Sequence, residues 1–366
     1  MTKPTMRTYI GQESSVLQTI LDSYPSHFDE SAKALVGTDT PWLVLATGSS
    51  YNAALSAKYY VEKLTNRDFD VRQPYQFAHF ERIDPRITRV LAISQSGQST
   101  STLSALHEVE RVQNVESIAV TSMPDKELSQ EADFTLDIQT GHELVGYVTL
   151  GYTATILTLM LLGLRVAALE KTCDQAQEAK ELKQFESIVS QFDQAIEQTE
   201  AFFSANKKDL CDATQFSSIA YGPSVGSVSE MQTKFTEVIR LPSDGNELEA
   251  FMHGPYLAVN AEHRIFFVLT PGPKDVIQKA IELFQYESEY TKHTFLVNYL
   301  PDVKLKANEL SLPPISDPEK LPLIGAVPFQ VLAWDITTAR GVDLGVQIFT
   351  DFSAKVHNKT VVQHYL

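Results

Sequence analysis

Four groups of residues have the types and spacing to do chemistry. Ser94-Gln95-Ser96-Gly97-Gln98-Ser99 follows an apolar run, Val90 to Ile93, and precedes a helical pattern over Ser101 to Val109. A hydroxyl-rich turn at a helix N-terminus offers unpaired backbone N–H groups and side-chain donors to an anion such as phosphate; by itself it equally describes a capped helix after a buried strand. Glu230, Lys234 and Glu237 fall at i, i+4 and i+7, on one face of a helix; read by pattern alone, that face is a solvated charged stripe. His253, in Phe251-Met252-His253-Gly254-Pro255, divides acid and base work near neutral pH only if a carboxylate such as Glu237 shares its pocket. Lys355 forms a Schiff base with a carbonyl only if it is desolvated.

The elements around these residues alternate. Trp42 to Ala46, Phe69 to Val71, Val90 to Ser94, Ser117 to Thr121 and Phe134 to Ile138 are short apolar runs, with helical patterns between several of them. That order predicts an α/β chain with doubly wound parallel sheets, whose ligands bind at the carboxyl ends of the strands. Gly48-Ser49-Ser50 ends the first run as the serine turn ends the third. A second strand and turn, Ser217 to Tyr221 and then Gly222-Pro223-Ser224, is followed by another, Ile265 to Leu269 and then Thr270-Pro271-Gly272. The interval from Gly48 to Gly222 nearly equals that from Gly97 to Gly272, which predicts a duplicated domain. The second copy has Pro271-Gly272-Pro273 where the first has its serines, so an anion site is expected in the first half alone. The divisions read as residues 1–169 with a leading helix, a helical linker over 170–212 that lacks glycine and proline, a second domain over 213–345, and a C-terminal tail, 346–366, contributing to the active site.

The chain has 366 residues, 43% hydrophobic and 21% charged, and a formal net charge of -16. Such an acidic balance is repelled by nucleic acid and by anionic membrane, so neither is expected as a partner. Cys173 and Cys211 supply neither a disulfide framework nor a closed zinc site, and the histidines are dispersed; no metal or cofactor is expected, and a reducing cytoplasm is. No secretory signal is read at the N-terminus. Thr153 to Leu169 is the most apolar stretch; interrupted by Gly163 and Arg165 and short of about 20 residues, it reads as a helix buried in a core or subunit interface. Gly222-Pro223-Ser224-Val225-Gly226 fits a hydrolase nucleophile pattern, but Pro223 restricts the strained turn such a nucleophile needs, and a glycine-rich turn is the better reading.

Six stretches in order, Gly48 to Asn52, Ser94 to Ser99, Gly141 to Thr149, Glu230 to Glu237, His253-Gly254-Pro255 and Ala354-Lys355, resemble the double-domain form of the sugar isomerase (SIS) family. That form includes the isomerase half of glucosamine-6-phosphate synthase and the deglycases of fructoselysine and glucoselysine 6-phosphates. The resemblance implies two SIS domains and a homodimer with shared active sites. It implies that Ser49 and Ser50 recognise the sugar, that Ser94, Gln95, Ser96 and Ser99 hold its phosphate, and that Gly146, Glu230 and Ala354 also bind substrate. Glu237 is implied as the carboxylate moving a proton between sugar C1 and C2, and His253 as a ring-opening histidine contributed by the neighbouring subunit. Lys234 and Lys355 are implied as lysines near the open-chain sugar, Lys355 as the Schiff-base former. Gln98-Ser99 stands where the synthase has Glu-Thr, Leu150 replaces a lysine, and Ala250 stands where relatives have glutamate beside Glu249. No glutaminase module or N-terminal cysteine accompanies the motifs, so glutamine-dependent amination is not expected. The resemblance thus implies a deglycase acting on an amine-bearing sugar 6-phosphate. An amino-sugar-phosphate deaminase or isomerase is the alternative, and a sugar-phosphate sensor a further one.

Overall fold

The computed structural model describes residues 3–305, 307–363 and 365. The chain folds as two compact units: Met1–Thr5, Gln12–Ser187 and Gly345–Leu366 make the first, Met6–Gly11 and Ile188–Leu344 the second. The C-terminal segment begins one residue from the expected 346, whereas the chain passes from the first unit to the second after Ser187 rather than through a separate linker over 170–212. The segment read as a linker holds two helices, Gln175–Val189 and Phe192–Cys211, and the division falls after Ser187, in the last turn of the first: Phe185 packs on Tyr60 in the first unit, Phe202 on Phe295 in the second. A separate short helix, Met6–Ile10, belongs to the second unit, while Glu13–Asp22 and Asp29–Leu35 belong to the first.

In the first unit, β1 (Trp42–Leu45), β2 (Phe69–Arg72), β3 (Arg89–Ile93), β4 (Glu116–Thr121) and β5 (Phe134–Asp137) form a parallel sheet in the order β2-β1-β3-β4-β5. All four residues of β1 are buried, as a central strand covered by helices on both faces requires. The register pairs Leu45 with Ala92, so β1 and β3 end side by side. The helix Leu150–Leu169 is 20 residues long, so its length alone would let it cross a membrane. Its burial identifies it as a core helix: 83% of its most apolar window lies inside the protein, against the helix Ser49–Thr65 among others.

The second unit repeats the plan. β6 (Phe216–Ala220), β7 (Ser243–Glu247), β8 (Arg264–Leu269), β9 (Thr294–Asn298) and β10 (Asn308–Ser311) run parallel in the order β10-β9-β8-β6-β7, the same winding read from the other edge. The two doubly wound sheets expected from the sequence are therefore present. In each, the winding reverses between the first and third strands of the unit, leaving a crevice at their carboxyl ends. Here the core is aromatic: Phe235 packs 4.9 Å from Phe216 and 6.1 Å from both Phe266 and Phe329. Gly245 of β7 lies so close to the helix Val225–Lys234 that a Cβ would sit 2.1 Å from the carbonyl oxygen of Val228. Only glycine lets that helix press onto the sheet.

Candidate functional site

The crevice of the first unit is open. A cavity of about 150 Å³ lies there, lined by Thr47, Ser49 and Ser50 after β1, by Ser94, Gln95, Ser96 and Ser99 after β3, and by Val148, Gly151, Tyr152, Lys359 and Tyr365. The turn after β3 depends on Gly97: its φ is +65°, and a Cβ would come within 2.8 Å of Lys126 Cβ and 3.3 Å of the Met123 carbonyl. Folding back in this way, the turn sets Ser99 at the N-cap of the helix Thr100–Val112 and leaves hydroxyls over that helix's N-terminus. The helix Ser49–Thr65 begins at the opposite wall. Two N-termini thus face one small space, each carrying partial positive charge.

The donors around this space are largely unused by the protein. Ser94 is buried, and its hydroxyl bonds none of the described residues. The buried Nε2 of Gln95 is likewise without a partner among them. Ser96 Oγ takes a bond from Lys359 Nζ at 2.8 Å, and Ser99 Oγ one from Thr102 at 3.0 Å. A third helix N-terminus is already occupied, since buried Glu143 accepts from Thr149 N at 2.8 Å and Gly151 N at 3.1 Å. Gly146 lies against the ring of Tyr365, where a Cβ would be 3.6 Å away.

Lys359, Tyr365 and Thr47 escaped the sequence reading. Lys359 arrives with the C-terminal segment, which pairs antiparallel with the serine turn through a bridge between Ser99 and Lys359. Thr360 N donates to Gln98 O at 3.1 Å and Thr100 Oγ1 to His357 O at 2.8 Å. Burial pushes the Lys359 ammonium below the ordinary lysine range, and no carboxylate among the described residues pairs with it. Lys355, expected near the sugar, is instead on the short helix Phe352–Val356, where its side chain is 75% exposed and 2.5 Å from Asp351. Ala354 is exposed beside it. The helix ends at His357 in a left-handed conformation, and the chain turns so that position 359, not 355, enters the cavity.

In the second unit the crevice is closed. Tyr221, directly after β6, donates its hydroxyl to Thr270 O at 2.6 Å and accepts from Thr270 N at 3.0 Å, bridging the ends of β6 and β8. With Gly48 aligned to Gly222, its counterpart in the first unit is Thr47.

Glu230, Lys234 and Glu237 do come together, but the solvated stripe is wrong for two of them. Glu230 and Lys234 are 0% and 1% exposed, with Nζ 3.3 Å from Glu230 Oε1 and bonded also to Glu237. Burial opposes the charge on Lys234, yet the two carboxylates outweigh it and hold the ammonium above its ordinary range. Glu237, one third exposed, sits on a π-helical turn, Phe235–Ile239, closed by Arg240 N bonding Phe235 O at 3.1 Å. That wider turn, anchored by buried Phe235, leaves Lys234 and Glu237 in contact while the Glu237 carboxylate reaches solvent. His253 does not join them. Its side chain is 73% exposed and lies 3.2 Å from Glu249, which also takes Lys279 at 2.8 Å.

Residues 42–165 match the model of the SIS domain family. A glutamine–fructose-6-phosphate aminotransferase (isomerizing) of Thermosynechococcus vestitus is 23% identical over 310 residues, 82% of this chain and 49% of that protein. The chain spans about half the length of the curated relatives first matched. A Clostridium difficile structure described as a phosphosugar isomerase is 24% identical with a TM-score of 0.86, over 96% of this chain and 98% of the other. A glucosamine-6-phosphate deaminase of Thermotoga maritima is 19% identical with a TM-score of 0.74, over 93% and 96%. These structural likenesses establish a shared fold.

Proposed function

We propose that this chain, which matches the SIS domain family over residues 42–165, is an enzyme that binds an amine-bearing sugar 6-phosphate and cleaves the amine from it. The observation that carries this reading is the open cavity with its unspent donors, Ser94 and Gln95 among them, in a unit whose duplicate has the same crevice closed by Tyr221. A phosphate group suits that space: small, oxygen-rich, and stabilised by helix N-termini.

The chemistry is assigned to Glu237. As the base, it takes the proton from sugar C1 of a ketoamine and returns it at C2, while the amine N–H proton passes to the C2 oxygen, giving the aldimine with a C2 hydroxyl. Water then adds across the C=N bond, and collapse of the adduct releases the aldose phosphate and the free amine, so no oxidant or reductant is needed. The charged Lys234 beside Glu237 orients that carboxylate. His253 is read as the ring-opening acid or base of a neighbouring subunit in a homodimer, which its outward exposure supports. Both cysteines are free, which suits the reducing cytoplasm in which we place the protein.

The test offers fructoselysine and glucoselysine 6-phosphates and glucosamine 6-phosphate, and follows sugar phosphate, lysine and ammonia together. Lysine release from either of the first two is expected. Ammonia from glucosamine 6-phosphate alone would replace the deglycase by a deaminase, the reading favoured by the Thermotoga likeness. No turnover of any of the three would sink the enzyme reading for this substrate class.

A further inference from the structure

We propose that Lys359 is the cation that neutralises the bound phosphate, so that recognition of the phosphate's charge comes from the C-terminal segment rather than from the serine turn. This rests on the reading of the cavity as a phosphate site. The argument begins from charge. The chain is strongly acidic, and the donors of the serine turn are neutral. Hydroxyls, amides and helix N-termini fix the geometry of a phosphate and supply partial charges, but no full positive charge. Lys359 is the one charged residue among those described as lining the cavity.

Its present contacts do not account for its place. The ammonium has a single hydrogen bond, 2.8 Å to Ser96 Oγ, and no ion pair among the described residues. A partly buried ammonium on one neutral hydroxyl is poorly solvated and unpaired, a cost that an entering anion would offset. A carboxylate beside the docked segment, Glu127, is engaged with Gln98 Nε2 at 2.9 Å and Thr360 Oγ1 at 2.8 Å. The backbone holds Lys359 in register through the bridge to Ser99 and the bond from Thr360 N to Gln98 O. Its position at Ser96 puts it at the phosphate end of a bound sugar, which separates it from the Schiff-base role expected of Lys355.

The test uses inorganic phosphate as the probe and follows binding by calorimetry in the full chain and in Lys359→Met and Lys359→Arg. Hydrogen exchange is read at the amides of Thr100 and Thr360, both bonded across the docked segment. The expected result is phosphate affinity about 10- to 100-fold weaker in Lys359→Met, the range for losing a charged hydrogen bond. Both amides stay as protected as in the native chain, and Lys359→Arg recovers most of the affinity. Phosphate binding within about twofold of native in Lys359→Met overturns the inference and leaves the cavity assignment standing. Weakened binding with both amides deprotected overturns it too, because the lysine would then be a bolt for the segment. Failure of the native chain to bind phosphate at all overturns the cavity assignment itself, and this inference with it.

Discussion

The hydroxyl of Tyr221 lies 2.6 Å from the carbonyl oxygen of Thr270 and 3.0 Å from its amide nitrogen, bridging in the second unit the strand ends between which Thr47 lines an open cavity in the first. The two positions are equivalent in the duplicated plan, so one residue type separates a bridged crevice from a cavity.

Thr47→Tyr should therefore abolish phosphate binding by importing the same plug. We expect affinity for inorganic phosphate to fall by more than about tenfold, equivalent to about 1.4 kcal/mol. Thr47 is solvent-exposed, so the unfolding free energy should stay within about 0.5 kcal/mol of native. Calorimetry and a denaturant titration check both; unchanged phosphate affinity would mean that the anion does not sit between β1 and β3.

Ser94→Ala and Ser96→Ala probe the donors themselves. Each removes a hydroxyl directed at a charged ligand, for which a loss of roughly tenfold in affinity is expected. The effect should appear in KM, with kcat within about threefold, because an anchor remote from the reacting carbons binds substrate and transition state alike. A change confined to kcat would move these serines to the reaction centre.

The strands of the first unit, the serine turn and the duplication were legible because each has a local signal: buried apolar runs, hydroxyls before a helix, a constant interval. β7 was not legible. Ser243-Asp244-Gly245-Asn246-Glu247 has no apolar side chain, and it is a strand only because Gly245 lets the helix beside it close in while β6 supplies the pairing. The burial of Glu230 and Lys234 was equally hidden, since an i, i+4 charge pair reads the same whether it faces water or a phenylalanine core. Lys359 carried no signal at all. Its place in the cavity depends on a left-handed residue, His357, that redirects the chain between Lys355 and Lys359. The plugging of the second crevice was in reach: aligning Gly48 with Gly222 sets Thr47 against Tyr221, and the difference in size is plain.

Glu237→Gln keeps the size of the side chain and an acceptor oxygen for Lys234, and removes the capacity to take a proton. If Glu237 moves the proton between C1 and C2, kcat should fall by about 10²- to 10⁴-fold. Stabilisation of the protein by sugar phosphate, read as a shift in Tm, should remain. Turnover near the native rate would dismiss Glu237 as the base.

Lys234→Met should destabilise the fold by about 3–5 kcal/mol, because Glu230, 0% exposed, is left without its ammonium. Adding Glu230→Met should restore much of that loss, since a buried pair replaced by apolar side chains of similar volume is often close to neutral. A double-mutant cycle by chemical denaturation measures it; equal losses in the single and double variants would show that the pair does not act as a unit.

Asp335 gives a prediction whose sign depends on pH. On the helix Val327–Ala339, its carboxyl is raised from 3.8 to about 6, first by burial and then by the charge of Glu200, with Arg7 opposing. The folded chain thus holds this proton more tightly than the unfolded chain does. Stability is lost as pH rises from about 4 through 6, and the cost persists above. An amide in its place cannot ionise, so Asp335→Asn should match the native chain near pH 3.5 and exceed it at about pH 7. A shift of about two pH units corresponds to roughly 3 kcal/mol at most, and partial exposure of the side chain screens this to about 1 kcal/mol. Urea denaturation at the two pH values reads the difference directly. A gain of the same size at both would trace the effect to packing rather than to the proton.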